Sequence, residues 1–347
     1  MKKTKKALAL ILAGMMAASM TACGSGKTAE TTQAAADTTA AESADETKAE
    51  ASADGASYKV GICQLVQHVA LDAATEGFKD ALTEALGDQV TFDEQNAQGD
   101  SNTCSTIINN FVAEDVDLIL ANATPALQAA QAGTDTIPVL GTAVTEYGVA
   151  LGIDDFNGTV GGNISGTADL APLNEQAAML KELFPDAKNV GLLYCSAEAN
   201  SQYQVDTVKA ELEKLGYTCE YYAFSDSNDL ATIATNAANS SDVIYIPTDN
   251  TAAANTEIIN NICQPAGVPI IAGEEGICSG CGVATLSISY YDLGAATGKM
   301  AAKILTGESN ISEMPIEYAP QFTKKYNKTI CEALGITVPD DYIAIEE

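Results

Sequence analysis

Positive charge is scarce in this chain. It carries 17 Lys and Arg against 47 Asp and Glu, for a net charge of −30. Such a chain repels nucleic acid and anionic lipid, and no basic cluster stands out from residue 58 onward. Tryptophan is absent, and histidine occurs once, as His68. One histidine could serve a Ser-His-Asp arrangement, but no G-x-S-x-G elbow presents a nucleophile. No G-x-x-x-x-G-K-[ST] phosphate loop occurs. Residues 152–158 (GIDDFNG) resemble part of a calcium loop, but the spacing and the terminal glutamate are missing. Acids are plentiful, yet no spacing marks two of them as a hydrolase pair. No catalytic residue, metal or cofactor is expected.

Cysteine is not scarce: there are nine. Cys63 and Cys195 fall inside apolar strand patterns and read as small core residues. Cys278-Ser-Gly-Cys281 is the one C-x-x-C. It is open to a small-loop disulfide, to two free thiols, or to metal or redox chemistry. A zinc site there would need two further ligands, and His68 is distant in sequence.

The N-terminus reads as an address. Lys2, Lys3, Lys5 and Lys6 precede an apolar run, Ala7–Ala18, too short to span a bilayer. Met20-Thr21-Ala22-Cys23 closes it. This pattern looks like a bacterial lipoprotein signal, 1–22, with Cys23 lipidated after cleavage. Residues 24–57 lack Val, Ile, Leu, Phe and Tyr. Such a stretch cannot offset its ordering entropy, so 23–57 reads as a lipidated cysteine and flexible leash. The expected location is the extracytoplasmic face of the cell membrane, held by lipid only.

From residue 58 the chain alternates strand and helix patterns, and does so twice. The first pass has strands at 59–66, 90–97, 117–123 and 137–144. The second has them at 189–195, 218–224, 242–247 and 268–274. Helical patterns separate them, which argues for parallel sheets covered on both faces. The passes align. Val60-Gly61 matches Val190-Gly191, Asp100-Ser101-Asn102 matches Asp226-Ser227-Asn228, and Asp117 matches Asp242. The fold class expected is α/β: two doubly wound lobes with a cleft between them.

In such sheets ligands sit beyond the carboxyl ends of strands. That rule selects Gln64, His68, Asn122, Thr124, Thr142 and Ala143 in lobe 1. In lobe 2 it selects Ser196, Glu198, Asn200, Asp249, Asn250 and Glu274. Thr124 suits a helix N-cap and Pro125 the first helical position, so amides there could hold a carboxylate.

Five segments carry a family resemblance: VGICQLVQHVALDAATEGF, ANATPALQAA, YCSAEANS, IPTDN and YYDLGAATGKMAAKIL. In this order they resemble the TrpX-like substrate-binding lipoproteins of ABC importers, across about 58–340. Val69 departs from an expected proline, and Cys278 and Cys281 occupy a variable loop. The resemblance implies a type I periplasmic-binding-protein fold with a hinge, and partners in an ABC permease and ATPase. It implies a small ligand, an aromatic amino acid first. The carboxylate would then meet Thr124, and the ammonium Asp249 or Glu274. It also implies lobe 1 at 58–155 plus about 284–310, and lobe 2 at 156–283 plus about 311–347. The hinge is expected near 145–160 and 280–285. A hydrolase, and a surface sensor or adhesin, on the same scaffold are the alternatives.

Overall fold

The computed structural model describes residues 57–346. The signal, Cys23 and most of the leash lie outside the described residues.

The first lobe is built in sequence order. It comprises β1 (Tyr58–Gln64), α1 (Val69–Leu86), β2 (Val90–Asn96), α2 (Ser101–Ala113), β3 (Leu118–Asn122), α3 (Thr124–Gly133), β4 (Val139–Val144), α4 (Tyr147–Leu151) and β5 (Ile164–Ala168). The chain then passes to the second lobe. There it forms α5 (Leu173–Leu183), β6 (Asn189–Cys195), α6 (Ala199–Lys214), β7 (Thr218–Phe224), α7 (Ser227–Ser240), β8 (Val243–Ile246), α8 (Asn250–Ala253), α9 (Thr256–Cys263), β9 (Ile270–Ala272), α10 (Glu275–Cys281) and β10 (Ala284–Ser287). The chain returns to lobe 1 as α11 (Tyr290–Leu305) and β11 (Glu317–Tyr318). It ends in lobe 2 as β12 (Thr323–Tyr326), α12 (Lys328–Leu334) and β13 (Ile343–Ala344).

Sheet one has the order β11-β5-β4-β3-β1-β2 and is parallel throughout. Sheet two has the order β13-β12-β10-β9-β8-β6-β7, with β12 antiparallel to β10. Each sheet is apolar on both faces. In lobe 1, Phe111 and Ile108 cover one face, and Phe78, Leu82 and Met300 the other. That double burial explains why inner strands such as β3, β4 and β8 read as continuous apolar runs.

The repeat has a structural content. Asp100 and Asp226 each cap the following helix, accepting from Thr103 N and Asn228 N. Asp117 Oδ2 accepts from Lys59 N at 2.7 Å, and Asp242 Oδ2 from Lys188 N and Asn189 N at 2.8 Å. In both lobes this aspartate therefore ties the start of one strand to the start of the lobe's first strand.

The lobe boundaries differ from expectation. β5 pairs with β4, so lobe 1 continues to residue 168 rather than 155. β10 pairs with β9 in sheet two, so 284–287 belong to lobe 2. β11 at 317–318 belongs to sheet one, within the stretch assigned to lobe 2. The crossovers, and hence any hinge, lie at 169–172, 288–289 and 319–322. The reason is β5 itself, a strand of sequence ISGTA with little apolar signal. It packs by close backbone approach: a Cβ at Gly166 would stand 2.1 Å from the Gly141 carbonyl oxygen. The turn-rich 152–158 segment looks like a linker but only loops back into the same sheet.

Candidate ligand-binding cleft

The lobe 1 wall is made of amides and hydroxyls. Gln64 ends β1, buried, and donates to Asp72 Oδ1 at 2.7 Å and Val66 O at 2.9 Å. Thr75 Oγ1 donates back to Gln64 Oε1 at 2.6 Å. Asn122 ends β3 and donates to Leu71 O and Thr75 Oγ1, both at 2.9 Å. These bonds turn Gln64 and Asn122 toward α1, where they brace the floor. Asn122 Oδ1 is buried without a partner among the described residues. Thr142 joins a hydroxyl chain with Thr167 (3.2 Å) that continues to Thr297 (2.8 Å).

Thr124 and Ala143 sit where strands give way to loops. The cap of α3 is Ala123, so Thr124 is already the first helical residue and not the cap. Ala123 has φ 90° and ψ 158°, and Ala143 has φ 51°. Non-glycine residues held there cost about 1–3 kcal/mol each. Both are buried at neighbouring strand ends, which marks this rim as shaped against local preference. Thr124, buried, is presented beside it.

The lobe 2 wall is acidic. Glu198 accepts from Asn250 N (3.0 Å), Asn250 Nδ2 (2.7 Å), Thr251 N (2.9 Å) and Thr251 Oγ1 (2.8 Å). Asp249 accepts from Cys195 N at 2.6 Å and Ala252 N at 2.8 Å. Its pKa is pushed up to about 8 by burial first and by the Glu198 charge second. Asn200 donates to Thr248 O at 2.9 Å. Its Oδ1 is buried and unpartnered among the described residues. Glu274 caps α10, accepting from Gly276 N at 2.6 Å and from Ile277 N. Burial still pushes it up to about 7, and the Asp169 and Glu275 charges add to that. Ser196 departs from expectation. It is exposed and donates to Phe224 O at 3.1 Å, toward the neighbouring strand β7.

Two hydrogen bonds lie at the boundary. His68 Nε2 meets Asn250 Oδ1 at 3.2 Å, joining lobe 1 to lobe 2. Burial lowers the His68 pKa, and its Nδ1 has no partner among the described residues. Asp169 opens the first crossover, and its Oδ2 accepts from Tyr290 Oη at 2.9 Å. Its Oδ1 is buried and unpartnered among the described residues, and burial raises its pKa. Asp169 and Tyr290 escaped the sequence reading. The only signal was an acid directly before a Leu-Ala-Pro break, since the strand it ends has no apolar pattern.

Among the described residues, none of Glu198, Asp249, Asp169 and Glu274 forms an ion pair. A buried carboxylate normally neutralises or finds a cation. This region therefore holds several acids whose charged form lacks a counter-ion. A cavity of about 840 Å³ opens beside the second and third crossovers. Glu274, Tyr290, Thr167, Ser287, Tyr318 and Lys325 are among its lining. Of the twelve residues expected in the site, Glu274 alone lines it. No group of three metal-ligating side chains occurs among the described residues.

Comparison with known proteins settles the family. Residues 59–345 match the profile described as ABC transporter substrate binding protein. The chain belongs to this family. It is 34% identical, over 97% of its length and 94% of the relative's, to a protein named tyrosine-binding protein from Clostridioides difficile (strain R20291). Among solved structures, an ABC domain in complex with L-Trp from Streptococcus pneumonia superposes with TM-score 0.78 at 34% identity. The match covers 82% of this chain and 97% of that one. A ligand-free, open substrate-binding protein with adhesive properties from Clostridium difficile gives TM-score 0.63 at 36% identity, covering 83% and 99%. The fold is that of type I periplasmic binding proteins.

Proposed function

We propose that this chain captures an amino acid, an aromatic one first, and delivers it to a membrane permease. The observation that carries the reading is the set of buried acids without a cation at the lobe boundary. An α-ammonium group supplies the missing charge, and the unpartnered Asp169 Oδ1 and the Glu274 carboxylate are its acceptors. Asp249 was the other candidate acid, but Glu274 lines the cavity and Asp249 does not. The ligand carboxylate meets the opposite wall, at Thr124 and the first-turn amides of α3. Tethering by a lipid on Cys23, extracytoplasmic placement and the absence of catalysis belong to the same reading.

The decisive experiment is calorimetry with Tyr, Trp and Phe beside tyramine and 4-hydroxyphenylpropionate. Binding of the amino acids, with loss when either charged group is deleted, supports the assignment. Heat with a sugar or nucleoside and none with amino acids overturns the ligand class. A second reading, a surface adhesin, is favoured by the adhesive relative, which shares 36% identity. Cell-binding assays with a variant unable to bind ligand separate the two roles.

A further inference from the structure

His68 Nδ1, Asn122 Oδ1, Asp169 Oδ1 and Asn200 Oδ1 are buried at the strand ends and the first crossover without a partner among the described residues. Buried polar groups are normally paired, so an unpaired one points to a ligand group. Which of these atoms accept follows from their neighbours. Asn122 Nδ2 gives its hydrogens to Leu71 O and Thr75 Oγ1, and Asn200 Nδ2 donates to Thr248 O. In both amides the unpaired atom is therefore the oxygen, an acceptor. His68 is settled by a longer chain of contacts. Glu198 takes hydrogen bonds from two backbone amides, Asn250 N and Thr251 N, so its carboxylate is held as an acceptor. Asn250 must then turn Nδ2 to Glu198, 2.7 Å away, and Oδ1 to His68. A carbonyl oxygen only accepts, so the imidazole proton sits on Nε2 and Nδ1 carries a lone pair. Burial lowers the His68 pKa, which keeps that lone pair free. His68 is also the N-cap of α1, yet its side chain makes no cap bond.

We propose that His68 reads the ring of the ligand: Nδ1 accepts a hydrogen bond from a phenol O–H or an indole N–H, so the site prefers aromatic amino acids with a ring donor over phenylalanine. The inference rests on the amino-acid reading above. The α-ammonium group has three N–H donors, and Asp169 and Glu274 take them. The ring donor is what remains for His68. The residues directly after His68, Val69 and Ala70, line the cavity of about 840 Å³ together with Glu274. One cavity thus runs from the acid to the start of α1. Phenylalanine would cover Nδ1 with a ring edge that has nothing to donate. A site built to hydrogen-bond a ligand group discriminates against the analogue that lacks it.

The test is titration calorimetry of Tyr, Trp and Phe on wild type and His68→Leu. In wild type, Phe should bind roughly tenfold to a hundredfold more weakly than Tyr. In His68→Leu that ratio should fall to about one. The substitution also breaks the bridge to Asn250, but that loss falls on all three ligands alike and leaves the ratio untouched. A wild-type ratio near unity, or a preference that survives His68→Leu, overturns the inference and leaves the amino-acid reading standing. No heat with any of the three overturns both. Should the variant fold poorly, wild type decides alone. His68 is the single histidine, so a long-range proton–nitrogen NMR spectrum of the untagged chain shows one imidazole. With Tyr bound, its unprotonated nitrogen should be Nδ1, and that resonance should move further with Tyr than with Phe. A proton on Nδ1, or equal shifts with the two ligands, overturns the assignment.

Discussion

The two lobes share a plan and oppose each other in chemistry. Asp100 and Asp226 cap equivalent helices, and Asp117 and Asp242 tie equivalent strand starts. These duplicated aspartates serve the fold. At the cleft the duplication fails. At or just beyond its strand ends lobe 1 buries Gln64, Asn122, Thr124 and Thr142; lobe 2 buries Glu198, Asp249 and Glu274. Positions that hold the scaffold kept their chemistry, and positions at the carboxyl ends of the strands did not. A neutral donor wall opposite an acidic wall suits a zwitterion, with its anionic end on lobe 1.

Breaking the acidic side should have the largest effect. Asp169→Asn keeps the shape and the Tyr290 partner but removes the charge. Losing one member of a buried charge pair costs about 2–5 kcal/mol, so amino-acid Kd should rise by roughly 30-fold or more. Unchanged calorimetric affinity would remove Asp169 from the site. Glu274→Gln should weaken binding by roughly tenfold and lower Tm as well, since a neutral amide is a poorer cap for α10. A drop in Tm with affinity intact would reduce Glu274 to a cap.

The comparison can be sharpened by pH. Burial pushes Asp249 up to about 8 and Glu274 up to about 7, well above the ordinary carboxylate range. Between those limits the folded protein binds more protons than the unfolded one. Stability from these two acids is therefore present at low pH and lost as pH rises toward 8. His68, held neutral by burial, acts in the opposite sense below its ordinary value. The Tm–pH slope of wild type minus that of Glu274→Gln isolates the acid. Ligand affinity should rise with pH over the same window, because the ammonium binds the ionised carboxylate. A pH-independent Kd from pH 5.5 to 8 contradicts this.

The donor wall should respond least. Thr124→Val removes one hydroxyl and leaves the amides of α3, so Kd should rise by only about threefold to tenfold. A larger loss would mean that the hydroxyl, not the helix start, carries the carboxylate.

Much of this architecture was legible before any coordinates. Eight long strand patterns and the helices between them lie where the alternation put them, because both faces of each sheet are buried. β5 and β11 were not legible. One has a single large apolar residue among five and the other is two residues long, and neither has an apolar pattern. The crossovers came from resemblance, and their positions shifted with those two strands and with β10. At the site, the strand-end rule found His68, Asn250 and Glu274 at or near the boundary. It could not separate binding from capping: Asp249 follows a strand and precedes a helix, so either role gives the same sequence. Ser196 failed because a loop residue's side-chain direction is not periodic. Asp169 was missed because its importance comes from Tyr290, far along the chain.

α1 and α11 meet with almost nothing between them. A Cβ at Gly77 would stand 2.0 Å from Tyr291 O, and one at Gly294 1.9 Å from Ala74 O. The two helices are thus a double beam, welded along its length by missing side chains. One beam starts immediately after His68, which grips lobe 2 at the rim. The other starts at Tyr290, which grips Asp169 at the crossover. A tug at either grip moves the same rigid rod, so the rim and the crossover read out a single displacement.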